Sequence, residues 1–369
     1  MHSSNKHWRM IVLALVVTGL VLPLALAKPN GYIQHNLVSD LPNMAERTDP
    51  NLINPWGISS PPTGPIWVSD NNAGVATVYH GNGRPFPKQN SSLVVAIPPP
   101  TGGSGSGTPT GNVFNDTSDF VVTQGTHSGP ARFIFATEDG TLAGWNPEVD
   151  AMAAILAKDE SSTGAVYKGL ALASNSHGNF LFATDFHNAF VAMFDRNFNL
   201  VHTFTDASIP AGFAPFGIRN IGGELFVTYA KQKPPDNHDD QAGPGNGFVD
   251  VFDTSGNMVR RFASQGTLNS PWGLALASDF GKFSGALLVG DFGDGRINAF
   301  NPSTGAFLGQ LNDQHGNPTT IDGLWGLNFG NGFDGASSHL LFFTAGINDE
   351  ADGLFGTLRA MSDDEEGDN

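Results

Sequence analysis

Apolar residues in this chain recur in short runs that break at Gly, Asn, Asp or Pro, and helical spacing is nearly absent. Six of the runs precede a tight turn, five of them ending on an acidic or polar residue: Ile66-Trp67-Val68-Ser69-Asp70, Phe133-Ile134-Phe135-Ala136-Thr137-Glu138, Leu181-Phe182-Ala183-Thr184-Asp185, Leu225-Phe226-Val227-Thr228-Tyr229, Leu287-Leu288-Val289-Gly290-Asp291 and Leu341-Phe342-Phe343-Thr344-Ala345. Each follows a Gly-centred entry into another apolar run: Trp56-Gly57, Thr110-Gly111, Lys168-Gly169, Phe216-Gly217, Trp272-Gly273 and Trp325-Gly326. Successive glycines are 54, 58, 48, 56 and 53 residues apart. Such runs are strand chemistry and the breaks between them are turn chemistry. A repeat of this length holding four strands predicts an all-β, six-bladed β-propeller of four-stranded antiparallel blades.

The first blade reads as an inner strand after Gly57, then strands over 66–69, 75–80 and 93–97; the fifth reads as 274–277, 286–290, 296–301 and 306–311. Residues 149–158 could pass for a helix, but they sit where an outer strand belongs. The last repeat supplies three strands, 324–329, 339–344 and 353–361, and then runs out. A propeller with an open end leaves an unpaired edge. Residues 32–39 have strand character and no blade of their own, so they are expected to complete the sixth blade and clasp the ring.

Composition refines this outline. Of 369 residues, 28–361 are expected to form one propeller domain, and the 46 glycines suit a turn-dense chain. Lys6 and Arg9, the apolar stretch 10–22 and Ala25-Leu26-Ala27 follow the order of a secretory signal, with cleavage expected after Ala27. The expected location is therefore outside the cytoplasm, with no stable membrane insertion once residues 1–27 are removed. There is no cysteine, so stability rests on the core and the closed ring. Asn90-Ser91-Ser92 and Asn115-Asp116-Thr117 fit the glycosylation acceptor pattern. The formal net charge of −17, together with an acidic tail over 362–369 that is expected to be disordered, argues against nucleic-acid partners.

In an antiparallel blade the start of the first strand and the turn after the second share one end. The six Gly entries therefore gather on one face of the disc, called the top face below. There the second strands would present Asp70, Asn71, Glu138, Asp139 and Asp185. Further round come His187, Tyr229, Asp291, Asp294 and Asn348. Trp56, Phe216, Trp272 and Trp325 are expected at the mouth of the axial channel, stacking on a ligand or packing between blades. Asp70, Glu138, Asp185 and Asp291 are candidate ligands for Ca²⁺, a hard cation that takes oxygen donors; capping of their own turns is the alternative. Asp185 and His187 are the candidate acid–base pair. Residues 231–247, which contain His238, are too long for a hairpin and are expected to fold over the mouth as a lid. The Gly-rich residues 98–109 read as a mobile rim.

Gly330-Asn331-Gly332-Phe333-Asp334-Gly335 matches a dinucleotide fingerprint, but a strand follows it where that motif needs a helix. No nucleophile motif is present. The repeated Gly entry, apolar strand and acidic turn resemble NHL-repeat propellers. The stretch Asp49-Pro50-Asn51-Leu52-Ile53-Asn54-Pro55-Trp56-Gly57-Ile58, together with Ala131-Arg132-Phe133-Ile134-Phe135-Ala136-Thr137-Glu138-Asp139-Gly140, is similar to an uncharacterised family of exported proteins found widely in bacteria. That resemblance implies a six-bladed propeller outside the cytoplasm and carries over no catalytic residue. Two functional readings follow. In the first, the top face is a binding platform for a small molecule, glycan or protein. In the second, Ca²⁺ at the axis assists a hydrolase or lactonase.

Overall fold

The structure, a computed structural model, describes Met1, residues 31–88 and residues 91–362. The expected signal segment after Met1, Asn90 and the acidic tail beyond Ser362 lie outside the described residues. Six antiparallel sheets are arranged as blades. Blade 1 is Pro55–Ser59, Ile66–Asp70, Val75–Tyr79 and Val94–Ala96. Blade 2 is Pro109–Phe114, Phe133–Thr137, Thr141–Trp145 and Ile155–Asp159. Blade 3 is Tyr167–Asn175, Gly178–Asp185, Phe190–Phe194 and Leu200–Phe204; blade 4 is Phe213–Ile221, Glu224–Lys231, Gly247–Asp253 and Met258–Ser264. Blade 5 is Pro271–Leu276, Leu287–Asp291, Ile297–Phe300 and Phe307–Gln310. Blade 6 is Leu324–Phe329, Leu340–Ile347 and Asp352–Ala360, with Gly31–Ser39 antiparallel on its outer side. The stretch with helical character over 149–158 ends in an outer strand. The only helical turns among the described residues are Ser161–Thr163 and Gly281–Phe283.

Period-2 alternation sends the two sides of each blade into two different cores. Leu181 and Ala183 of blade 3 pack toward blade 2, whereas Phe180 and Phe182 pack toward blade 4. Leu287 and Val289 of blade 5 face blade 4, and Leu288 faces blade 6. Six such interblade cores encircle the molecule. A seventh cluster lies on the axis: Trp56, Phe186, Ala214, Phe216, Ala230, Trp272 and Trp325.

The Gly entries have a physical reason. The inner strand slips register there, between Pro55 and Ile58 in blade 1 and between Tyr167 and Leu170 in blade 3. At the slip the glycine lies against the next blade. A Cβ on Gly57 would meet the Thr110 carbonyl oxygen at 2.3 Å, one on Gly217 the Trp272 carbonyl at 2.2 Å, and one on Gly326 the Trp56 carbonyl at 2.6 Å. A threonine of the second strand ties the same point. The Gly169 N–H donates to Thr184 Oγ1 (2.7 Å), whose hydroxyl donates to the Phe216 carbonyl of blade 4 (2.7 Å). In blade 6 the Gly326 N–H donates to Thr344 Oγ1 (2.9 Å), and that hydroxyl donates to the Trp56 carbonyl of blade 1 (2.6 Å).

Candidate functional site

The residues just before the six glycines ring the axis. Trp56 and Trp325 stack with centroids 3.5 Å apart, Phe292 stacks on Trp325 at 4.0 Å, and Trp272 meets Trp56 and Trp325 edge-on. Trp56, Phe216 and Trp325 are almost wholly buried. The expected aromatic collar therefore exists as a solid plug, its rings packed on one another.

One position in the collar is charged. Lys168 occupies it in blade 3, is 2% exposed, and lies 4.9 Å above the Trp56 ring and 5.9 Å from that of Phe186. Its ammonium pairs with Glu138, which also accepts from the Asn71 side-chain amide (2.9 Å). Burial alone would raise the Glu138 carboxyl, but Lys168 and the Asn71 amide hold it below its usual value. His238 lies with Nδ1 4.0 Å from Glu138 Oε1 and 2.8 Å from Asp239 Oδ1, and the Asp239 bond raises the imidazole against the effect of burial. Glu350 accepts from the Asn54 amide (2.7 Å) and feels Glu138, Lys168 and Asp240 electrostatically; burial first, then Glu138 and Asp240, raise it. Burial raises Asp240 too. Four carboxylates thus surround one lysine and one histidine, on an indole floor.

The loop carrying His238 is positioned by the neighbouring blades. The Gln232 side-chain amide donates to the Phe186 carbonyl (2.6 Å), His187 Nδ1 donates to the Asp236 carbonyl (2.8 Å), and the Gly243 N–H donates to Asn269 Oδ1 (2.6 Å). Residues 231–247 therefore reach from blade 4 across blade 3 to Glu138 of blade 2. The Gly-rich segment 98–109 is pinned at two points, Thr101 N–H to Asp159 (2.8 Å) and Thr108 N–H to Asp139 (2.8 Å).

Several sequence expectations need correction. The four carboxylates offered for Ca²⁺ do not converge. Asp185 caps its own turn, accepting from the Val166 N–H (3.2 Å) and from the Asn188 N–H (3.1 Å) and amide (2.9 Å). Asp291 accepts from the Asn298 amide (2.7 Å), and Asp70 is wholly buried inside blade 1. Burial raises all three. Among the described residues the one trio with metal-ligand spacing is Glu138, His238 and Asp239. It offers two oxygens and a nitrogen, short of the six to eight oxygens calcium takes, and Lys168 already occupies Glu138. Asp185 and His187 make no hydrogen bond to each other, since His187 bonds Asp236 instead. Tyr229 does not reach the top face. Strand alternation puts it beside Val227 in the core between blades 3 and 4, where its hydroxyl accepts the Asp206 N–H (3.3 Å). Asp294 and Asn348 serve their own turns, Asp294 accepting from the Arg296 N–H (3.2 Å) and Asn348 donating to Asp352 (2.9 Å).

Lys168 and Glu350 were not singled out from the sequence. Lys168 left one signal, as the only charged residue among the six that precede the glycines. Glu350 left none, because its partners Asn54 and Glu138 are distant in sequence.

A ring of six four-stranded blades around a plugged axis defines the chain as a six-bladed β-propeller. It belongs to the family of the uncharacterized protein R648 of Acanthamoeba polyphaga mimivirus, to which it is 36% identical over 336 residues, covering 87% of this chain and 78% of the viral protein. The uncharacterized protein L690 of the same virus is 34% identical over 336 residues, covering 87% and 84%. No family model matches the sequence. Among solved structures, a streptogramin B lyase superposes with a TM-score of 0.53 at 14% identity, over 89% of this chain and 97% of the lyase. A glucose dehydrogenase gives 0.51 at 12% identity, over 89% and 100%. At such identities the likeness is one of fold.

Proposed function

We propose that this propeller is a binding protein whose top face takes a cationic group, the ammonium or guanidinium of a basic peptide segment. The observation that carries this reading is the excess of carboxylate around Lys168: Glu138, Asp239, Asp240 and Glu350 converge on a site that holds one lysine and one histidine. The loops nearby add Asp139, Asp236, Asp349 and Asp352 against Lys231 and Lys233. A face of one sign focuses potential and steers oppositely charged partners, the more so on a chain of net charge −17. The hydrolase reading loses support because the carboxylates it needs are engaged in separate blades.

The test is fluorescence anisotropy with a labelled oligolysine peptide. Affinity should fall at least about tenfold in the double variant Asp240→Asn/Glu350→Gln and fall steeply with salt. It should rise as the pH is raised through the His238 transition, because loss of the imidazolium leaves the cluster more negative. Lys168→Met should lower the melting temperature, since a buried carboxylate loses its partner, and the peptide should restore it. Binding unaffected by either change would sink this reading.

A further inference from the structure

A funnel opens at the other end of the axis. It holds about 470 Å³ and is lined from all six blades, among them Ile58, Leu172, Ile218, Leu274 and Leu327 on its walls. Trp272 contributes to its lining as well as to the plug. The one lysine or arginine in this funnel is Arg219, on the inner strand of blade 4. Its Nη1 donates to the carbonyls of Leu274 (2.9 Å) and Leu327 (2.7 Å), and its Nη2 to Asn328 Oδ1 (2.6 Å). These bonds fix the guanidinium across blades 4, 5 and 6 and use three of its five N–H groups. A donor on Nε and one on Nη2 remain. Among the described residues no carboxylate pairs with Arg219, and burial brings it down to about 10. The funnel is lined by aliphatic and polar side chains in similar measure, and a guanidinium held there without a counter-charge is costly unless an anion meets it.

We infer that this funnel is a binding site for a small monocarboxylate with an apolar body, its carboxylate received by Arg219 and its body by the aliphatic walls. Two donors on adjacent nitrogens match a carboxylate fork. A single unpaired positive charge balances a monoanion, whereas a phosphate dianion would leave charge uncompensated. The polar groups round the guanidinium are already engaged with protein: Asn112 with the Gly57 carbonyl and Ser59, Asn220 with the Leu172 carbonyl, Asn331 with the Pro61 carbonyl. They set the shape of the pocket and leave the charge to Arg219. Asp116, the one carboxylate in the lining, is exposed and forms no ion pair with Arg219. The site is on the opposite face from the cation-binding cluster, so the two proposals stand or fall separately.

The experiment is calorimetric titration of the full chain with benzoate, benzamide and inorganic phosphate, each also followed by tryptophan fluorescence because Trp272 lines the cavity. Saturable benzoate binding is expected, with benzamide and phosphate at least about tenfold weaker. Arg219→Gln should abolish it and Arg219→Lys should weaken it, since charge is kept and the fork lost. Pro62→Trp, at an exposed position of the funnel lining away from the groups that hold the guanidinium, should also weaken it and guards against a misfolded Arg219 variant. No saturable benzoate binding, equal binding of benzamide, preference for phosphate, or binding unchanged in folded Arg219→Gln would each overturn the inference.

Discussion

Asp70 shows how much the surroundings decide a single side chain. Its sequence position, ending a strand before an Asn-Asn turn, reads as surface chemistry, yet it is wholly buried and burial holds its carboxyl well above the usual range. A carboxyl raised in the folded state adds stability that is present below its unfolded value and is lost as pH climbs through the folded one. Asp70→Asn, which mimics the neutral form, should therefore raise the melting temperature at about pH 8, by roughly 2–4 °C per kcal/mol, and change little at about pH 4. Equal effects at both pH values in parallel calorimetric scans would refute this account. Lys168 is the converse case, a charge that is tolerated because Glu138 and an indole face meet it. It was legible only as an exception to an aromatic pattern, since the partners that give it meaning lie in other blades.

At the scale of the element, the repeat was readable because the same local demand recurs six times. A glycine is needed wherever an inner strand presses on the backbone of the next blade, and in five of the six repeats a polar residue closes the second apolar run. Strand positions in blades 1, 5 and 6 follow from alternation and turn residues alone. What alternation does not reveal is direction: it cannot say which of Thr228 and Tyr229 turns toward blade 5 and which toward blade 3, and the structure gives the blade 3 side to Tyr229. The hydroxyl staples carry a prediction of their own. Thr344→Val keeps the shape but strips partners from the buried Gly326 N–H and Trp56 carbonyl, a cost of about 1–3 kcal/mol for each group left unmatched. Urea unfolding should show a lower midpoint with an unchanged slope. Gly217→Ala should be worse still, because its Cβ would meet backbone that cannot yield.

For the whole molecule, Gly31–Ser39 lies along Asp352–Ala360 from Tyr32↔Ala360 to Ser39↔Leu354. The Tyr32 hydroxyl reaches further, to the Phe280 carbonyl of blade 5 (3.0 Å). Removing residues 1–39 would expose the edge of Asp352–Ala360, a template for pairing with another chain. The truncated protein should self-associate in size-exclusion chromatography, and a synthetic peptide of residues 31–39 added in trans should return it to the monomer position. A monomeric truncation with an unaltered melt would show that the strand contributes little. The candidate sites were least legible at this scale. The funnel and Arg219 are at the end of the disc away from the acidic turns, and nothing local in the sequence marks that end of the axis.

The aromatic plug has a final consequence. With Trp56, Phe216, Trp272 and Trp325 filling the bore, the disc is a partition, not a pipe. Nothing small crosses from one face to the other, so whatever settles on one side is out of reach of whatever settles on the other. A partition with two dissimilar faces can be occupied on both at once.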